Sequence, residues 1–124
     1  MECECDILAP SAIGGIINDT TIPLLRCKAI GGAANNQLSK PEHGKQLQNA
    51  GVLYAPDYVI NAGGLINAAE RLAEGKSYSA RKSRHKVNTI YDKLLNLFNQ
   101  SDRDHIATNS ASDQIAESQL AQYD

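Results

Sequence analysis

The stretch Cys27-Lys-Ala-Ile-Gly-Gly-Ala-Ala-Asn-Asn-Gln-Leu38 constrains this chain more than any other. A short apolar run collapses there into two glycines, two alanines and then the pair Asn35-Asn36. Such a run, ending in side-chain-poor positions followed by carboxamides, reads as a buried strand that delivers backbone and amides to a small ligand. Two other runs have the same shape. Cys5-Asp-Ile-Leu-Ala-Pro10 reads as a buried strand stopped by proline, and Val52-Leu-Tyr-Ala55 as a third strand closed by Pro56.

Between these runs the chain turns helical. After Ser11–Ile17, a mix of small and apolar residues, Asn18-Asp19 offers a turn, and Thr20–Leu25 reads as loop plus a short helix with Pro23 in its first turn. Pro41 to Ala50 begins with proline where a first turn tolerates it and stops at Gly51. Asp57 is placed to cap a helix over Tyr58–Leu72, closed by Glu74-Gly75-Lys76-Ser77. The interior pair Gly63-Gly64 would weaken that helix by about 1 kcal/mol per glycine and so points to a close backbone approach. From Ser79 to Asn99, the residues Val87, Ile90, Tyr91, Leu94, Leu97 and Phe98 fall at helical spacing. A loop after Gln100–Asp104 leads to a last helix capped by Ser110 or Ser112, with Ile115, Ala116, Leu120 and Tyr123 on one side. Strands alternating with helices imply an α/β fold with a parallel sheet and right-handed crossovers, followed by C-terminal helices.

Composition narrows the function classes. At 124 residues there is room for one domain. A net charge of −2 gives no general attraction to phosphate backbones or anionic lipid, so neither nucleic acid nor a membrane is an expected partner. No run approaches transmembrane length, and the acidic start Met-Glu-Cys-Glu-Cys-Asp lacks the basic region of a signal peptide. Three cysteines, Cys3, Cys5 and Cys27, make an odd count that favours reduced thiols and a cytoplasmic setting. Cys3-x-Cys5 is half a metal motif, but His43, His85 and His105 stand at no ligand spacing, so no metal is expected. The basic run Arg81–Lys86 reads as a solvated helix face.

Ligands of open parallel sheets bind beyond the carboxyl ends of the strands. The three exits, Ala9-Pro-Ser-Ala12, Gly31–Asn36 and Ala55-Pro-Asp57, are all small and turn-forming, and together would make a floor for a flat cofactor or substrate. Glycine, alanine and proline also terminate strands without any ligand, and asparagines after a strand also make Asx turns. Asn35 and Asn36 can each donate and accept, and Asn61-Ala-Gly-Gly-Leu-Ile-Asn67 repeats the formula of glycines flanked by amides. No G-x-G-x-x-G, Walker loop, nucleophile elbow or H-E-x-x-H occurs in these residues. The residues make a binding surface without a complete catalytic constellation.

Cys5–Pro10, Ile30-Gly-Gly-Ala-Ala-Asn-Asn-Gln-Leu38 and Tyr54-Ala-Pro-Asp-Tyr-Val-Ile-Asn-Ala-Gly-Gly-Leu-Ile-Asn67, in that order, resemble the C-terminal half of the glutamate/leucine/phenylalanine/valine dehydrogenases. The likeness is strongest to leucine dehydrogenase and its relatives acting on branched or aromatic (phenylalanine, tryptophan) amino acids. It implies a partial Rossmann-type domain, with residues 1–75 as strand and loop core and 76–124 as C-terminal helices. It further implies NAD as cofactor, an amino acid and its 2-oxo acid as substrates, a homo-oligomer, and oxidative deamination in a cleft against a separate N-terminal domain. Ser11, Ala12, Asn35 and Asn36 would face the cofactor, while Asn61, Leu65 and Ala68 would shape the substrate site. Ser11 stands where many relatives carry cysteine, and Ala68 implies a roomier pocket suited to an aromatic side chain. The family's catalytic lysine and aspartate, its glycine-rich fingerprint and its ribose-binding acid would lie upstream of Met1, so the isolated chain would be inactive. The alternative is a non-catalytic remnant that assembles through the exposed edge of a cut sheet.

Overall fold

The computed structural model describes residues 1–73 and 78–122. Three parallel strands, β1 (Cys5–Leu8), β2 (Cys27–Ile30) and β3 (Leu53–Tyr54), lie side by side in chain order. Register aligns Leu8 with Ile30 and Ile30 with Tyr54 on one face, and Ile7 with Ala29 and Ala29 with Leu53 on the other. Alternation along each strand therefore sorts the sheet into two unlike faces.

The first face carries the core. Ile30 and Tyr54 pack with Ile17, Leu47 and Val52, and Leu8, Ile22, Leu25 and Leu38 close in around them. Ile17 and Leu47 are fully buried, which stabilises the fold by about 1.5–3 kcal/mol for each side chain. Leu47 comes from α1 (Glu42–Asn49), which follows Pro41 and ends before Gly51 at φ +72°, the left-handed stop its sequence predicts. The second face is open. Ile7 is 65% and Leu53 43% exposed, and Leu94 and Phe98 of α4 (Ala80–Asp104) overhang it across an apolar groove of 290 Å³.

Several elements differ from their sequence reading. β1 is a half-exposed edge rather than a buried strand, because among the described residues β2 is its only partner. Thr20–Leu25 holds one 3-10 turn at Ile22–Leu24, held by Asn18, whose side-chain oxygen accepts from the Thr20 and Thr21 N–H groups at 3.1 Å. The single helix expected over Tyr58–Leu72 is broken at Asn61-Ala62 into α2 (Asp57–Ile60) and α3 (Gly63–Leu72). Gly63 and Gly64 thus open a helix instead of sitting inside one. Among the described residues no close approach requires them: a Cβ at Gly64 would meet nothing within 4 Å, and at Gly63 only Val87 at 3.9 Å. Glu74–Ser77, read as the end of that segment, lies outside the described residues.

Ser79 caps α4 by accepting from the Lys82 N–H at 3.3 Å, and the helix runs five residues past Asn99 before His105 at φ +53° ends it. Along it Val87, Ile90, Leu94, Leu97 and Phe98 turn inward, whereas Tyr91 is 72% exposed. The last helix, α5 (Thr108–Leu120), begins before both candidate serines. Its buried side is Thr108, Asn109, Ala111 and Ser112, not the later apolar residues: Ala116 and Leu120 are exposed, and Tyr123 lies outside the described residues. Small residues win that face because Asn109 lies so tightly on Gly44 of α1 that a Cβ there would collide with its carboxamide. No helix among the described residues is long and apolar enough to cross a membrane.

Candidate functional site

The three strand exits form one surface. Gly31 N–H donates to the Leu8 carbonyl at 3.0 Å, Ala34 N–H to the Pro10 carbonyl at 2.9 Å, and Ala55 N–H to the Ile30 carbonyl at 2.8 Å. Backbone approach is closest at Gly32, where any Cβ would run into the backbone of Pro10. The stretch 14–17 then returns alongside. Gly15 N–H donates to the Asn36 carbonyl at 2.7 Å, Ile17 N–H to the Gln37 carbonyl at 3.0 Å, and Ser39 N–H to the Ile17 carbonyl at 2.9 Å.

Side chains complete the floor. Asn61, at the break between α2 and α3, donates through its amide to Asn35 Oδ1 at 2.8 Å and lies 3.4 and 3.5 Å from the Ala33 and Ala34 carbonyls. With its oxygen taken, exposed Asn35 has its NH₂ left to offer. Asn36 sits at φ +53°, and its backbone N–H donates to Asp57 Oδ2 at 2.6 Å. Buried Asp57 receives a second proton donor, the Tyr54 hydroxyl, on Oδ1 at 2.9 Å. Burial, and then the bond to Asp57 and its charge, push the Tyr54 phenol far above its ordinary range. Gln37 stands fully buried beneath, donating to the Gly32 and Ala34 carbonyls at 2.9 Å.

The sequence-predicted residues divide accordingly. Asn35, Asn36 and Asn61 meet at the exits. Ser11 and Ala12 lie exposed on the first exit, with Ser11 Oγ donating to the Ala9 carbonyl at 3.1 Å. Leu65, 75% exposed, and exposed Ala68 project from α3 one turn apart, touching no buried core. Asn67 is a clasp between helices, accepting from the Tyr78 hydroxyl at 2.9 Å and Ser83 Oγ at 3.2 Å. The sequence reading missed the supports, Gln37, Tyr54 and Asp57. Asp57 looked like a helix cap, and only its spacing of three from a tyrosine at a strand end hints otherwise.

Beside Asn36 a polar hollow of 240 Å³ is lined by Lys40, Tyr54, Asp57, Tyr58, Asn109 and Asp113. The Tyr58 hydroxyl lies 3.0 Å from Asp113 Oδ1 and 3.3 Å from the Asn109 carbonyl. Burial, followed by the Asp113 carboxylate, pushes its pKa up to about 12. A raised pKa means that the folded chain holds its proton after the unfolded chain has lost it. The stability from this group is therefore complete below about pH 10 and lost on the way to about pH 12. Tyr58→Phe is expected to flatten the decline of urea midpoints measured across that window, by a modest amount because the ring is half exposed. An unchanged alkaline slope would show that the tyrosine carries none of it.

Among the described residues no three His, Cys, Asp or Glu side chains gather in a set that could hold a metal ion. The basic face of α4 is solvated, with Arg81, Lys82, Arg84 and His85 exposed and Lys86 paired with Glu70 at 3.0 Å.

A parallel α/β sheet whose exits fuse into a side-chain-poor floor carrying amides defines a Rossmann-type unit of the dehydrogenase kind. The sequence profile of the Glutamate/Leucine/Phenylalanine/Valine dehydrogenase family matches residues 1–121, and the chain belongs to that family. A leucine dehydrogenase of Thermoactinomyces intermedius is 50% identical over 119 residues, 96% of this chain and 32% of that protein. A phenylalanine dehydrogenase of Bacillus thermotolerans is 49% identical, over 94% of this chain and 30% of its own length. In structure the chain superposes on an L-tryptophan dehydrogenase from Nostoc punctiforme with a TM-score of 0.91 at 43% identity, covering 98% of this chain and 35% of that one. The chain thus spans about a third of the length of these relatives.

Proposed function

We propose that this chain is the C-terminal part of the nucleotide-binding domain of an NAD-dependent L-amino-acid dehydrogenase, with residues 1–75 as strand and loop core and 76–124 as C-terminal helices. The observation that carries the reading is the fused floor of the three exits, with the Asn35 NH₂ directed outward by Asn61. Flat, nearly free of side chains and edged by donors, it suits one face of a nicotinamide ring with its carboxamide on Asn35 and Asn36. Ser11 and Ala12 border the same floor from the first exit. Leu65 and Ala68 then meet the amino acid's side chain, and the small Ala68 leaves room for an aromatic one.

When bound, the nicotinamide supplies hydride acceptance from the amino acid's alpha carbon, on the way to a 2-oxo acid and ammonia. The part of this chain is positional: its amides orient the ring and its floor excludes water from one side of it. The lysine and aspartate of the family's chemistry belong, by resemblance, to the portion preceding these residues. The whole protein is proposed to be a cytoplasmic homo-oligomer.

The test is a chimaera in which this chain replaces the matching third of the Thermoactinomyces intermedius leucine dehydrogenase. NADH production from leucine, phenylalanine or tryptophan is expected, at a ratio shifted toward the aromatic substrates, and none is expected from the 124-residue chain alone. A folded chimaera with no turnover on any of them, or activity in the chain alone, overturns the reading. One observation favours assembly as a second role: Ile7 and Leu53 are 65% and 43% exposed on the open face of the sheet. Light scattering showing a monomer at every concentration would remove it.

A further inference from the structure

The first rung of the sheet holds a chemistry that the dehydrogenase reading does not use. Cys5 and Cys27 are register partners in the β1–β2 ladder. Partners on neighbouring strands sit about 4.8 Å apart, and their side chains leave the sheet on the same face. A disulfide spans Cα separations of about 4.4–6.8 Å, a range that includes this rung, and a small local closing of the two strands would bring the Cβ atoms to the roughly 3.5–4.5 Å the bond needs. Both are free and half-buried, whereas Cys3 is exposed. We propose that Cys5 and Cys27 form a redox-active dithiol that a low-molecular-weight disulfide converts to an intramolecular cross-strand bridge.

The step balances with that oxidant. The Cys5 thiolate attacks one sulfur of the small disulfide and expels one thiolate, leaving a mixed disulfide on Cys5. Cys27 then gives up its proton to solvent and attacks Cys5 Sγ, expelling the second small thiolate. Two protein thiols are oxidised, one small disulfide is reduced to two thiols, and one S–S bond replaces another. The order follows from the surroundings: burial, and next the neighbouring Cys5, push the Cys27 thiol up, so Cys27 is the later nucleophile. Cys3 is no competitor for ring closure with Cys5, because only Glu4 separates them, and its thiol lies against the Glu4 carbonyl at 3.7 Å. The product would fasten β1, whose Leu8 carbonyl and the Pro10 carbonyl that follows it anchor the candidate site, to β2.

The experiment treats the reduced 124-residue chain with glutathione disulfide, blocks remaining thiols and maps tryptic peptides without reduction. The expected product is a monomer in which only one thiol, that of Cys3, is left for the blocking reagent and Cys27 is linked to the peptide ending at Arg26. That peptide contains both Cys3 and Cys5, so Cys3→Ser assigns the link and is expected to leave its yield unchanged. Cys5→Ser and Cys27→Ala are expected to abolish it while circular dichroism shows the chain still folded. A link that disappears with Cys3→Ser, a link between two chains, glutathione left only as mixed disulfides, or thiols that stay fully reduced would each overturn the proposal.

Discussion

Replacing Gly32 by alanine is expected to destabilise the chain by about 3 kcal/mol or more. The added carbon would occupy the place of the Pro10 backbone, whose N, C and O atoms all lie closer to it than real Cβ atoms approach their neighbours. Neither side can yield cheaply. Pro10 is held by the bond from the Ala34 N–H to its carbonyl, and the Gly32 carbonyl is held by buried Gln37. The first and second exits would have to separate, and the floor between them would open. Gly64→Ala is the control, since a Cβ there meets nothing within 4 Å and lies near the start of α3. It is expected to change stability by no more than about 1 kcal/mol, toward greater stability. Urea denaturation of the two variants separates these outcomes. If Gly32→Ala unfolds at the parent's midpoint, the exits are not packed against each other and the floor does not exist in solution.

The two glycine pairs show which part of the site could be read from sequence. Gly31-Gly32 follows an apolar run that ends in amides, and strand geometry alone places such a pair where chains leave a sheet. What approaches Gly32 in the structure is the backbone of Pro10. At Gly63-Gly64 the helix breaks two residues earlier, and among the described residues no neighbour approaches the pair closely. Local pattern cannot distinguish a glycine required by a neighbour from one that tolerates solvent, since the neighbour lies elsewhere in the chain. The strands were legible for a related reason. Their order and parallel pairing follow from alternation with helical segments, but the exposure of β1 does not, because burial of an edge depends on what lies beside it. The last helix was misplaced because its buried face is built from Thr108, Asn109, Ala111 and Ser112, side chains too small and polar to register as a hydrophobic stripe. Among the candidate residues, the sequence brought forward the amides that line the exits and overlooked what holds them. Donors at a surface leave a compositional trace. A buried carboxylate that answers the Asn36 N–H from twenty-one residues away leaves almost none.

That carboxylate carries the second large effect. Asp57→Ala is expected to cost about 2–4 kcal/mol, because it strands two donors at once: the Tyr54 hydroxyl, on a ring only 2% exposed, and the Asn36 N–H. The two losses differ in kind. Freeing Tyr54 leaves an unpaired phenol in the core, whereas freeing Asn36 releases a residue at φ +53°, where a non-glycine backbone stays only if its surroundings hold it. Tyr54→Phe removes one donor without stranding the other and is expected to cost about 1 kcal/mol. In the double variant no phenol remains to be stranded, so the combined cost should fall below the sum of the single costs by about 1 kcal/mol or more. Denaturant titration of the four proteins yields that coupling directly. Additive costs would mean that Tyr54 and Asp57 do not share a proton in solution. A coupling of the expected size makes Asp57 the post on which the amide loop is set. In that case the orientation of Asn35 and Asn36 is fixed by the core of the protein before any ligand arrives.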